Sequence, residues 1–198
     1  MARTRASDYE AKRREILETA AVVFANVGME KATMAEIARR GGTSKALLYH
    51  YHGGKDALIF DIVRTHLIDL DTRLEEADVG ALPAEERLAR LVVAVLDHYR
   101  DDGAKHRVLL NGMNGLPTEQ TDAVREIERR IVHRFATVIG EIAPELAGDR
   151  ALLMPATFSL FGSLNWIYTW FRDDGPLSRE EYARMVTSLF LDGVRSVR

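Results

Sequence analysis

Apolar positions recur with a helical period along the whole chain. Ile16, Ala20, Val23, Phe24 and Val27 fall at i, i+4, i+7, i+8 and i+11, one face of a helix. Gly28 follows and stops it. Thr33-Met34-Ala35-Glu36 has the form of a capping box, with Thr33 as N-cap and Glu36 reaching back. The short helix it opens turns Met34, Ile37 and Ala38 inward. Gly41-Gly42 breaks the pattern, and Thr43 or Ser44 caps a further helix through Leu48 and Tyr51. Gly53-Gly54 breaks it again, and a longer helix is predicted from about Lys55 to Glu76 with Leu58, Ile62 and Leu67 among its apolar positions.

The same period continues beyond Gly80. Pro83 suits the first turn of a helix, where its missing N–H costs nothing, and that helix should run to about Arg100. A short piece is predicted over about Ala104–Asn111. Pro117-Thr118 opens another helix, to about Ile142, where Ala143-Pro144 interrupts. Asp149 caps a helix ending near Arg172, Asp174-Gly175-Pro176 is a strong break, and Ser178 with Glu181 forms a second capping box for a last helix to about Val194. No alternating β-branched run competes. The reading is an all-α chain of about nine helices.

Ala151–Phe171 carries no charged side chain, long enough to span a bilayer. Pro155, Thr157, Ser159, Gly162, Ser163, Asn165 and Thr169 make it too polar for a lone membrane span. A helix buried inside a protein or an oligomer fits better, so no membrane partner is expected.

Charge changes the picture only when it is divided. The 198 residues hold 27 basic and 30 acidic side chains, net −3. Residues 1–60 hold ten basic against seven acidic, net +3, and the rest is net −6. A basic N-terminal segment on an acidic remainder suggests a polyanion partner. Cysteine is absent, which excludes disulfides, thiolate metal sites and a Cys nucleophile. The start, MARTRASDYEAKRRE, has no apolar h-region, and a cytoplasmic protein is expected. Within the basic segment, residues 33–51 read as helix, Gly-containing turn, helix, the arrangement whose second helix enters a major groove. Gly42 allows a positive-φ turn. The second helix exposes Thr43, Ser44, Lys45, Leu47, Tyr49 and His50, whose hydroxyls, cation, phenol and imidazole can bond phosphates and base edges.

Residues 10–60 resemble the N-terminal domain of the TetR family of transcriptional regulators. Three pieces carry the match: Ile16-Leu17-Glu18-Thr19-Ala20 with Phe24 and Gly28; Ala32-Thr33-Met34-Ala35-Glu36-Ile37-Ala38 with Gly42; and Ser44-Lys45-Ala46-Leu47-Leu48-Tyr49-His50-Tyr51 leading to Lys55-Asp56-Ala57-Leu58. The resemblance implies a helix-turn-helix DNA-binding domain over 1–54 and an effector-binding and dimerisation domain over 55–198. It implies that Thr43 and Leu47 read bases, and that Thr33, Ser44, Lys45, Tyr49, His50 and Lys55 contact phosphates or bases of double-stranded DNA. Arg3 and Arg5 form either a flexible arm entering an adjacent minor groove or a disordered tail. Three residues depart from the family pattern. Gly41 replaces the usual Ala, so a looser turn is expected. His52 stands where an apolar residue normally packs, and reads as a partly buried histidine or a second polar contact near the DNA. Leu47 replaces Thr or Ser and suits a thymine methyl.

The remainder resembles the family more loosely. The family forms homodimers through its last two long helices, here about 150–172 and 178–194, and reads palindromic operators. Gly162 and Ser163 allow close helix approach, while Trp166, Trp170, Leu189 and Phe190 offer apolar area. The family also takes a small-molecule effector. His66, Tyr99, Arg107, Asn111 and Met113 are candidate lining residues, as are Arg134, Phe158, Phe161, Asn165 and Trp166. Asn165–Phe171 is similar to a segment of members that sense acyl-CoA or aromatic compounds, and Arg107 or Arg134 could meet CoA phosphates. His98 and His133 lack convincing metal-ligand spacing. No Ser-His-Asp order, paired catalytic carboxylates or Gly-rich phosphate loop is found, so neither an enzyme nor a cofactor is expected. The reading is a repressor released from its operator by a hydrophobic effector. The alternatives are an all-α small-molecule-binding protein or enzyme without DNA function, and a ligand-independent architectural DNA binder.

Overall fold

The computed structural model describes residues 2–197, with side chains from Tyr9 to Asp149 and from Ala151 to Val197. Among them are ten α-helices, one 3-10 turn and no strand: α1 Ala2–Val27, α2 Met34–Arg40, α3 Lys45–Tyr51, α4 Lys55–Ala77, α5 Ala84–Asp101, α6 Gly103–Gly112, α7 Thr118–Ile142, α8 Pro144–Ala147, α9 Arg150–Asn165, the 3-10 turn Trp166–Thr169, and α10 Arg179–Val194.

The helix ends follow local chemistry. Gly28 takes φ +89° and its N–H donates to the Phe24 carbonyl at 2.9 Å, closing α1. Ser44 Oγ accepts from the Leu47 N–H at 3.0 Å, so Ser44 rather than Thr43 caps α3. At α10 the capping box is complete: Glu181 N–H donates to Ser178 Oγ, and Ser178 N–H to the Glu181 carboxylate. At α2 only half of the expected box forms. Thr33 Oγ1 accepts from the Glu36 N–H at 3.2 Å, but the Glu36 carboxylate takes Arg39 and Arg40 instead of reaching back. Two cations within a helical turn outcompete one backbone amide.

Two further expectations are corrected. Residues 144–147 form a helical turn of their own, with Pro144 at its start, where the sequence predicts only a break. The helix predicted to end near Arg172 ends at Asn165. The Thr169 hydroxyl bonds the Trp166 carbonyl at 2.7 Å and Trp170 N–H reaches only to Ile167 O, a three-residue bond. A run of aromatic and β-branched residues is poor material for continuing an α-helix. No helix of the described residues is long and apolar enough to cross a membrane.

The chain divides into two compact units, residues 1–67 with 102–124, and residues 68–101 with 125–198. In the first, α1 buries Ile16, Ala20, Val23 and Phe24 against α2 and α6. Gly112 lets α6 come close: a Cβ there would lie 3.1 Å from Ile59 Cγ2 and 3.3 Å from Val108 Cγ1. In the second, Leu88, Leu91, Val92, Val95 and Leu96 line the buried face of α5, which packs on α9 and α10. Each such side chain contributes about 1.5–3 kcal/mol on burial. Phe135 and Phe161 meet edge to face with centroids 4.8 Å apart.

Candidate nucleic-acid interface

The α2–α3 pair is held by a small apolar contact and a tight turn. Ile37, Ala38 and Leu48 are buried. Gly42 takes φ +56°, which a β-carbon resists, and Thr43 N–H then donates to the Ala38 carbonyl at 3.0 Å. Gly41 has an ordinary φ of −81° and its N–H bonds Ile37 O at 2.9 Å, so this turn is tied down rather than loose.

With Leu48 turned inward, α3 presents Lys45, Leu47, Tyr49 and His50 to solvent. Leu47 and Tyr49 are large side chains left exposed. Lys45 Nζ lies 5.8 Å from the Tyr49 ring centroid and has no carboxylate partner among the described residues. Ser44 Oγ accepts the cap bond and keeps its hydrogen to donate outward. Thr33 Oγ1, capping α2, is placed alike. Lys55 opens α4, with Nζ 3.3 Å from the Glu30 carbonyl, so a cation stands beside the free N–H groups of a long helix. Thr43 Oγ1 is covered and has no hydrogen-bond partner among the described residues, so using it on a base requires a χ1 rotation. Arg39 and Arg40 are not free cations. Hydrogen bonds from Arg39 and then Arg40 pull the half-buried Glu36 carboxyl down to about 2. Arg3 and Arg5 lie on the α1 backbone, and their side chains lie outside the described residues.

His52 is the buried histidine of the two readings, not a polar contact at the surface. Its Nδ1 is 2.8 Å from Asp61 Oδ2, which also accepts from Arg13 Nη2 at 3.0 Å. Burial pushes the Asp61 carboxyl up, but the hydrogen bonds of His52 and Arg13 outweigh it and hold the group below the usual range. Sequence reasoning singled out neither Asp61 nor Arg13 as partners. The available signal was a polar residue at an apolar position, which needs a buried partner.

The second unit brings the apolar candidates together on α9, the 3-10 turn and α10. Phe158, Trp166, Trp170 and Leu189 are exposed, Leu189 by 66%. Gly162 and Ser163 are exposed beside them in α9, and Phe190 is half-buried. Tyr182 OH donates to Ser163 O at 3.0 Å and its ring meets Trp170 edge-on at 5.2 Å, tying α10 to α9 and to the turn that follows it. Phe161 is core. Tyr99 OH donates to Asn165 Oδ1 at 2.7 Å, and burial, with Glu128 nearby, pushes the phenol far above its usual range. Arg134 lies 3.7 Å from Asp71 and 3.5 Å from Asp78, so its charge is already shared with two carboxylates. In the first unit His66 is buried and Met113 half-buried, while Arg107 and Asn111 are exposed, with Asn111 Nδ2 donating to Arg107 O at 2.8 Å.

Known proteins share this arrangement. Residues 16–62 match the family model for bacterial regulatory proteins of the tetR family, and residues 81–194 match that for the tetracyclin repressor-like C-terminal domain. A TetR-family transcriptional regulator from Bordetella parapertussis 12822 is 31% identical, with a TM-score of 0.86 over 94% of this chain and 97% of its own. AibR, solved with isovaleryl coenzyme A and operator DNA, is 25% identical, with a TM-score of 0.79 over 90% of this chain and 97% of its own. The HTH-type transcriptional repressor KstR2 of Rhodococcus jostii (strain RHA1) is 25% identical over 204 residues, 96% of this chain and 94% of its own. The chain belongs to the TetR family and is a DNA-binding transcriptional regulator, not an enzyme.

Proposed function

We propose that the chain is a homodimeric repressor that leaves a palindromic operator in the cytoplasm when a small hydrophobic effector binds. Residues 1–54 would read DNA and residues 55–198 would dimerise and sense. The observation that carries this reading is the solvent face of α3, where Lys45, Leu47, Tyr49 and His50 stand together around the buried Leu48. One such helix reads only a few base pairs. A twofold dimer sets two of them about 34 Å apart, one turn of duplex. The exposed Phe158, Trp166, Trp170 and Leu189 support a partner of the same kind, because so much apolar surface is seldom left in water.

The effector class is supported by two features. The Tyr99–Asn165 pair sets two polar groups at the edge of an apolar core, and AibR, a relative of similar fold, was solved with isovaleryl coenzyme A. Effector release requires a ligand that prefers the state in which the two reading helices no longer match the operator. A titration of the protein against its own upstream DNA at fixed salt tests the DNA reading, and equal affinity for random duplex would refute it. A thermal-shift screen that includes acyl-CoAs tests the effector reading, since a bound ligand raises apparent stability. No shift with any acyl-CoA or aromatic compound removes that class.

A further inference from the structure

His52 ends α3 in an extended conformation, φ −140° and ψ 122°, and its backbone N–H donates to Leu48 O at 3.0 Å. Its side chain is completely buried. An ionised carboxylate only accepts, so Nδ1 carries the hydrogen given to Asp61. Nε2 has no hydrogen-bond partner among the described residues, so the imidazole is held through Nδ1 alone. Asp61 belongs to α4, and the same Oδ2 receives Arg13 of α1. Tyr9 lies four residues before Arg13 on the same face of α1, and its ring stacks at 4.6 Å on Tyr51, the last residue of α3. The C-terminal end of α3 is therefore gripped twice, by ring stacking at Tyr51 and by a shared carboxylate at His52.

An apolar side chain in place of His52 would fill space without fixing a direction. A donor aimed at a half-buried carboxylate accepts one geometry, and removing it leaves that carboxylate short of a partner. We propose that His52 is a positioning residue for DNA reading. With Asp61 and Arg13 it sets the orientation of α3, so that Leu47, Tyr49 and His50 meet the duplex already in place. This rests on α3 being the reading helix.

Leucine and asparagine are close in shape, but only asparagine keeps a donor near the Nδ1 position. Three variants of the full chain, H52L, H52N and D61N, are to be compared with the parent by amide hydrogen exchange across α3, imidazole NMR and operator titration. In the parent, a slowly exchanging proton on the His52 Nδ1 is expected. In H52L, α3 amide exchange should rise and operator affinity should fall, each roughly tenfold, the scale of a hydrogen bond to a charged group. H52N should recover a clear part of both. Wild-type exchange in folded H52L, or H52L and H52N behaving alike, overturns the proposal. Should H52L fail to fold, D61N, which conserves volume, decides in the same way: unchanged α3 exchange overturns it. If the parent itself shows no operator preference, the DNA reading fails, while the exchange data still decide whether His52 holds α3.

Discussion

Two of the exposed surfaces among the described residues differ in kind. The face of α3 is narrow and mixed, a cation, a phenol, an imidazole and one leucine. Along α9, at the end of the 3-10 turn and on α10, the large apolar side chains Phe158, Trp166, Trp170 and Leu189 are exposed. The first suits a charged, hydrated partner whose affinity depends on salt. The second suits a partner as apolar as itself, where burial drives association. On the proposed reading a few residues of α3 meet the polyanion, so a net charge of −3 over the whole chain does not argue against it.

That contrast can be broken at its strongest point first. Leu189→Glu is expected to turn the dimer into monomer in sedimentation equilibrium and to lower operator affinity by about a hundredfold or more, since a charge forced into an apolar interface costs several kcal/mol. A dimer that survives this change would move the interface elsewhere. Next in size is Tyr49→Ala with Lys55→Ala. Operator affinity should fall roughly tenfold to a hundredfold, because the phenol and the ammonium together are expected to supply about 1–3 kcal/mol of binding, with dimerisation and melting temperature unchanged. Dissociation or unfolding in that double variant would mean the two surfaces are not separate. Lys45→Ala should weaken binding to all sequences alike and lower the salt slope by about 1. A change confined to one base position would instead make Lys45 a base contact. The smallest effect concerns pH. Asp61 has its carboxyl held below the ordinary range, so it stabilises the fold fully above that range and loses the contribution as pH falls through its folded value. Thermal melts from pH 7 to 3 should therefore fall less steeply for Asp61→Asn than for the parent. Parallel curves would show that the carboxylate contributes nothing to folding.

Much of this was legible in the chain. Period and caps placed the helices of the reading unit, because glycine and Ser or Thr act locally. The failures at helix ends share one cause, competition among local partners that periodicity alone does not rank. Glu36 abandoned the α2 cap for two arginines on its own helix. The helix from Asp149 stopped at Asn165 although its apolar run continued, because buried Ile167 and the Thr169 hydroxyl bond favour a tighter turn. The residue types for reading DNA could be named in advance. That Thr43 Oγ1 is covered could not, since a hydroxyl's exposure depends on a rotamer. His52 was noticeable as polar in an apolar place, but Asp61 is nine residues away and Arg13 thirty-nine, and only the folded chain joins them.

A reading surface on α3 must distinguish one duplex sequence from another. The most direct measurement is a titration of the protein against its own upstream DNA and a scrambled duplex of equal length at one fixed salt concentration. Binding to the upstream duplex about a thousandfold tighter is the expected result, at the lower end of specific over non-specific recognition. Equal affinity for both duplexes would contradict it.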